Sequence, residues 1–280
     1  MKYMLGLYEK SMPNTLSIRA KLMYAKDAGY DFLEISIDES MEKLSRLDMN
    51  LKERQDIVNA CYETGIFIRT MCLSGHRKYP LGTQDYDDEQ TSLEIMRKAI
   101  DLAYDLGIRI IQIAGYDEYY RESNENTKEK FRENLKKSVE MASIKGVILA
   151  FETMETEFMN TIRKAMDYVQ EVNSPFLKVY PDLGNITNAC KLYNEEVEDD
   201  IKAGIGNIAA CHIKETVPGV FREVPFGTGH VDFKKCISAM LDCGVRMFVA
   251  EFWHTDDEWK SILKSNNTFI RSIFSELGYD

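Results

Sequence analysis

Eight short apolar runs recur along the chain: YMLGLY (3–8), FLEISI (32–37), IFIRTMCL (66–73), IRIIQIAG (108–115), VILAFE (147–152), LKVYPD (177–182), IAACHI (208–213) and RMFVAE (246–251). Each has the length of one strand, and near-continuous apolarity suits strands covered on both faces. Between them apolar positions return with a 3.6-residue period. That period predicts helices over 18–28, 51–63, 89–106, 126–144, 160–172, about 195–203, 233–243 and about 259–277. Several of these stretches stop on a glycine, at Gly29, Gly65, Gly107, Gly146 and Gly244, the position of a helix C-cap.

Eight strands alternating with eight helices imply a parallel sheet. At 280 residues that sheet is expected to close into a (β/α)8 TIM barrel, an α/β fold of one domain spanning 1–280. No Pro/Gly/Ser-rich linker interrupts the pattern. The first strand-to-helix turn, at Gly6–Ser11, carries no glycine-rich dinucleotide or phosphate fingerprint, which removes the main support for an open sheet.

Composition narrows the function classes. The net charge of −11 argues against general nucleic-acid binding through phosphate neutralisation. The six cysteines are scattered without a CxxC pair and read as reduced core thiols of a cytoplasmic protein. The first strand begins almost at once, and no apolar run approaches 18 residues, so neither a signal peptide nor a membrane span is expected.

Four residues with metal-binding side chains end successive strand runs: Glu152, Asp182, His212 and Glu251, spaced 30, 30 and 39 residues apart. Those intervals are about one strand-plus-helix unit each, so a barrel brings the four to one mouth. Singly, an acid at a strand end is as readily a helix N-cap, and His212 between Cys211 and Ile213 reads more readily as a hydrogen-bonded core histidine. Together, three buried carboxylates and an imidazole demand a compensating cation. The donor set is hard and mostly oxygen, suited to Mn, Mg, Co or Zn.

Longer stretches carry a family resemblance. LGLYEK (5–10), SIDES (36–40), RLDM (46–49), MCLSGHRKYPLG (71–82), EIMRKAI (94–100), IQIAGYDEYY (111–120), SVEMAS (138–143), YPDLGN (180–185), AGIGNI (203–208) and HIKETVPGVFREVPFGTGHVDF (212–233) span nearly the whole chain. In these it resembles the xylose-isomerase-like barrels, and specifically the L-xylulose-5-phosphate (L-ribulose-5-phosphate) 3-epimerases of L-ascorbate and pentulose breakdown.

The resemblance implies a divalent metal, Zn or Mn before Mg or Co, held by Glu152, Asp182, His212 and Glu251. It implies Glu152 and Glu251 as the acid/base pair. Inverting C3 of a 2-ketose removes a proton alpha to the C2 carbonyl and returns one to the opposite face. A metal at O2 and O3 stabilises the cis-enediolate formed between these steps. The resemblance also points to Glu155 near the sugar O1 end, against the alternative of a solvated loop acid. Where unphosphorylated-sugar epimerases of the family carry a substrate-binding histidine, this chain has Asn185, which implies different substrate contacts.

A phosphate needs donors, and Ser74, His76 and Arg77 after the third strand are the first candidates, with Arg222 and then Lys214 behind them. A solvated surface loop is the competing reading for all of these. Tyr8, Glu9, Tyr116, Tyr119, Tyr120, Trp253 and His254 are expected at the rim, and His230 in the GTGH turn is a weaker candidate for the site. The expected partners are a small sugar phosphate and a second copy of the chain in a homodimer. An aldose–ketose isomerase or inosose-type dehydratase on the same metal barrel is one alternative. A non-catalytic sugar-phosphate-binding barrel is another. The multinuclear endonuclease IV site needs more histidines than the four present.

Overall fold

The computed structural model describes residues 2–254 and 257–279, so the first and last residues of the expected 1–280 domain lie outside the described residues. The eight apolar runs form β1 (Met4–Tyr8), β2 (Phe32–Ile37), β3 (Phe67–Leu73), β4 (Ile110–Ala114), β5 (Ile148–Glu152), β6 (Leu177–Tyr180), β7 (Cys211–Ile213) and β8 (Met247–Ala250). They make one sheet in the order β6-β5-β4-β3-β2-β1-β8-β7, parallel throughout. Two single bridges, Val179 to Ile208 and Asp182 to His212, join β6 to the β7 segment and bring the ring nearly to closure. β7 is shorter than its apolar run because residues 208–210 meet β6 only through the first of these bridges.

Around the sheet lie α1 (Ile18–Asp27), α2 (Met41–Leu44), α3 (Leu51–Thr64), α4 (Tyr86–Leu106), α5 (Glu125–Lys145), α6 (Ile162–Val172), α7 (Leu183–Tyr193), α8 (Val197–Ala203), α9 (Phe233–Asp242) and α10 (Trp259–Glu276). Gly65, Gly107 and Gly146 end α3, α4 and α5 with φ near +70°, where a Cβ would be strained. Two of the helices, α2 and α7, are not foreseen by the periodicity. α7 is almost wholly buried over 183–190 and starts on Asp182, whose Oδ1 accepts the Asn185 amide at 2.7 Å. Its Gly184, Asn185, Thr187 and Asn188 are weak helix formers, so the N-cap and the burial hold a helix that propensity does not suggest.

Apolar side chains pack in two layers. The larger fills the space between sheet and helices; the smaller lies inside the barrel and includes Phe32, Ile110, Ala150, Tyr180 and Val249. Gly6 leaves room for the Phe32 ring, because a Cβ there would sit 2.4 Å from two ring carbons.

Beside the mouth, Glu9 is fully buried among Lys21, Lys43 and Arg46. It also accepts the Ser36 amide at 2.6 Å, tying the β1 loop to β2. Burial opposes its ionisation, yet Arg46, Lys21 and Lys43 hold its carboxyl down at about 2. A carboxyl depressed in the fold stabilises it above the unfolded value and loses that contribution as pH falls toward the folded one. Stability to urea is therefore expected to drop between about pH 4.5 and pH 2. Glu9→Gln, which takes the carboxylate from two buried lysines and the partly buried Arg46, should cost about 3–5 kcal/mol at neutral pH and flatten the acid limb. An unchanged urea midpoint in that variant would contradict the assignment.

Candidate metal centre and active site

The strand ends deliver the four expected residues together. Glu152 closes β5, Asp182 stands between β6 and α7, His212 is the middle residue of β7, and Glu251 follows β8 directly. The Glu251 amide donates to Ile213 O at 2.9 Å and the His212 amide to Pro181 O at 2.9 Å, so neighbouring backbone fixes the heights of these two residues. All four side chains are buried, and each offers one ligand atom within 4.8 Å of the others.

The inner face of the barrel prepares these groups. Gln112 on β4 donates to Glu152 Oε2. His212 Nε2 meets Glu34 Oε1 at 2.7 Å, while Thr70 and Tyr180 donate to Glu34 Oε2 at 2.7 and 2.9 Å. An acceptor carboxylate at Nε2 assigns the proton to that nitrogen, which leaves the Nδ1 lone pair facing the acids. Nδ1 stands 3.0 Å from Glu251 Oε2 and 3.3 Å from Glu152 Oε1. A lone pair so close to two carboxylates calls for a cation or a proton between them. Consistently, burial disfavours a charged imidazole, but Glu34 and Glu251 hold the His212 pKa well above its ordinary value.

Asp182 and Glu251 share the same conflict. Burial pushes the Asp182 carboxyl far up, with Lys214 opposing and Glu251 adding to the rise. Burial works against ionised Glu251 too, yet Lys214 and His212 hold it below its ordinary value. Asp182 Oδ2 and Glu251 Oε2 are buried without a hydrogen-bond partner. Unmatched oxygens converging with an imidazole nitrogen fit a hard divalent cation.

Glu34 is the residue that sequence patterning passes over. It sits mid-strand in FLEISI, and the one visible signal is a charged residue inside a run buried on both faces. Such a carboxylate–histidine pair fixes ring orientation, and its loss typically costs 10–100-fold in metal affinity or activity. Glu34→Gln is expected to weaken Mn binding by about that factor in a chelator competition; affinity within twofold of the parent would refute the role.

A cavity opens over Glu152 and Glu251, with Asp182 and His212 buried behind them. Ser74, Arg77, Glu155, Asn185, Lys214 and Arg222 line it together with Tyr8, Lys10 and Trp253. Arg77 lies over the Tyr119 ring at 4.5 Å, and its Nε is buried without a partner. Arg222 meets Glu155 at 3.4 Å across the mouth. Asn185 donates Nδ2 to Thr153 O at 2.7 Å and keeps its Oδ1 unpaired. Lys214 turns inward, to 3.2 Å from Asp182 Oδ2.

Other expected residues are placed elsewhere. His76 does not line the cavity: it is buried with Nε2 on Ser92 O at 3.1 Å, and burial holds its pKa down at about 4. A neutral, enclosed imidazole is not an anion donor at pH 7. Glu9 points into its cation cluster rather than the rim. Tyr116 is buried, Tyr119 bonds Glu155 at 3.0 Å, and Tyr120 is exposed on Glu39. His230 is held outside the cavity by Lys191 and Thr216. His254 is outside the cluster of four.

A family model described as the xylose isomerase-like TIM barrel matches residues 22–273. The chain belongs to that family. The L-ribulose-5-phosphate 3-epimerase UlaE of Shigella sonnei (strain Ss046) is 47% identical over 277 residues, covering 98% of this chain and 96% of that one. The protein of the same name from Escherichia coli O139:H28 is 47% identical over 250 residues, 89% of this chain and 87% of its own. Among solved structures, D-psicose 3-epimerase from Clostridium cellulolyticum H10, determined with D-tagatose, superposes with a TM-score of 0.82 at 16% identity, covering 98% and 99% of the two chains. An L-ribulose 3-epimerase gives 0.75 at 16% identity, covering 99% and 97%. The structural likenesses establish the barrel. The two relatives at 47% identity are epimerases by name, and the chain is an enzyme of the isomerase class.

Proposed function

We propose that the chain is a metal-dependent 3-epimerase interconverting L-ribulose 5-phosphate and L-xylulose 5-phosphate. The observation that carries this reading is His212 Nδ1 held between Glu152 and Glu251, with Asp182 beside them, next to a cavity that carries cationic side chains. Support for the substrate comes from the 47% identity to proteins named for that activity.

Glu152, Asp182, His212 and Glu251 would hold the ion, Zn or Mn before Mg or Co. When bound, it supplies Lewis-acid polarisation of the C2 carbonyl, which acidifies the C3 proton. Glu152 and Glu251 rise from strands separated around the ring by β6 and β7. One takes the C3 proton and the other returns a proton to the opposite face, and the roles exchange with the direction of reaction. Gln112 orients Glu152 through its amide, and Glu34 fixes the tautomer of His212. Glu155, bonded to Tyr119, and Asn185, with its free Oδ1, are placed to meet sugar hydroxyls.

Ser74, Arg77 and Arg222 are the phosphate donors in this reading. Arg77→Met is expected to raise KM for the sugar phosphate at least tenfold, with a much smaller change for unphosphorylated L-ribulose. Equal effects on both substrates would remove Arg77 from the phosphate site. Over 1–280 the chain acts as one domain, as a cytoplasmic enzyme of L-ascorbate and pentulose breakdown and as a homodimer. No helix among the described residues is long and apolar enough to cross a membrane.

NMR of L-ribulose 5-phosphate incubated with the metal-loaded enzyme tests the activity. Conversion to L-xylulose 5-phosphate is expected. An aldopentose phosphate would indicate an isomerase, and an unchanged substrate a binding protein.

A further inference from the structure

Lys214 was expected to face a phosphate, yet its ammonium lies inside the acidic cluster. Nζ stands 3.2 Å from Asp182 Oδ2 and 3.7 Å from Glu251 Oε2. The residue is only 5% exposed. Both oxygens are buried without a hydrogen-bond partner, and Glu251 Oε2 also stands 3.0 Å from His212 Nδ1. Asp182 has already committed Oδ1 to the Asn185 amide, so Oδ2 is the oxygen it has left for a cation, and Lys214 faces that oxygen. On its outer side Lys214 has the Trp253 ring, with Nζ 5.9 Å from the centroid.

We propose that Lys214 is a resident counter-cation of this centre, a positioning residue that competes with the divalent ion for Asp182 and Glu251. It thereby limits how tightly the ion is held. The inference rests on reading the four residues as a metal site. Three carboxylates around one divalent ion leave a surplus negative charge, and the buried ammonium neutralises it. Two cations sharing the same oxygens repel each other, and low dielectric makes that repulsion strong. The neutralised set also leaves the ion a stronger electrophile, since an unbalanced carboxylate would quench part of its field. Lys214 thus gives up metal affinity and gains polarising power.

The test compares Mn affinity of the full-length protein and Lys214→Met by chelator competition, with kcat and KM measured in parallel. Removing the ammonium is expected to tighten Mn binding by at least about tenfold while kcat falls by a similar factor and KM changes little. Lys214→Arg, which restores the charge, should return both values toward the parent. A merely structural lysine predicts the opposite sign, weaker Mn binding in Lys214→Met, and that result or unchanged affinity overturns the proposal. If Lys214→Met fails to fold alone, saturating Mn should restore its melting transition, because the ion replaces the lost charge. Failure to fold even with Mn also overturns it. A parent protein that binds no Mn removes the metal reading itself, an outcome separate from these.

Discussion

Glu152→Gln and Glu251→Gln are each expected to lower kcat for C3 epimerisation about a thousandfold, within the range for losing a positioned acid or base. Glutamine keeps size and one ligating oxygen but cannot carry the proton. With each glutamate serving one face of C3, the loss is more specific than a fall in rate. A variant retaining one base should still exchange the C3 proton of one epimer with solvent without inverting it, and the two variants should select opposite epimers. Metal content measured on the same samples separates lost proton transfer from lost ion. Activity within tenfold of the parent with metal retained would contradict the pairing. Exchange of the same epimer in both variants would do so as well.

Chelation is the second large effect. Removal of the ion by EDTA is expected to abolish turnover and to lower the melting temperature by several degrees, because binding to the folded state alone stabilises it by mass action. The cluster explains both expectations. Asp182 Oδ2 and Glu251 Oε2 are buried without a hydrogen-bond partner, and the groups that face them are Lys214 and, for Glu251, also His212. Mn or Zn should restore activity and melting together. Undiminished turnover after exhaustive chelation would remove the metal from the account.

How much was legible in the chain follows from where each residue sits. Glu152, Asp182, His212 and Glu251 stand out because they end apolar strand runs at βα intervals, and barrel geometry then converges them. Glu34 lacks that signature. It lies in the middle of β2 and points inward, so only the three-dimensional neighbours Thr70, Tyr180 and His212 give it meaning. The same holds for Glu9, whose partners Lys21, Lys43 and Arg46 come from two later segments. His76 shows the reverse error. Its neighbours Ser74 and Arg77 face the cavity, but the short turn at Gly75–Arg77 sends the imidazole back against α4, where Ser92 holds it. Local sequence supplies residue type; turn geometry decides the direction. Among the described residues α7 was hidden for a related reason, since its N-cap is a site carboxylate and its stability comes from burial rather than propensity.

The measurement that bears most directly on the central claim is epimerisation of L-xylulose 5-phosphate in deuterated water, with and without EDTA, following deuterium by NMR. The account predicts label at C3 of the L-ribulose 5-phosphate formed, lost on chelation and restored by Mn or Zn. Label at C1, or no label with the metal present, would contradict it.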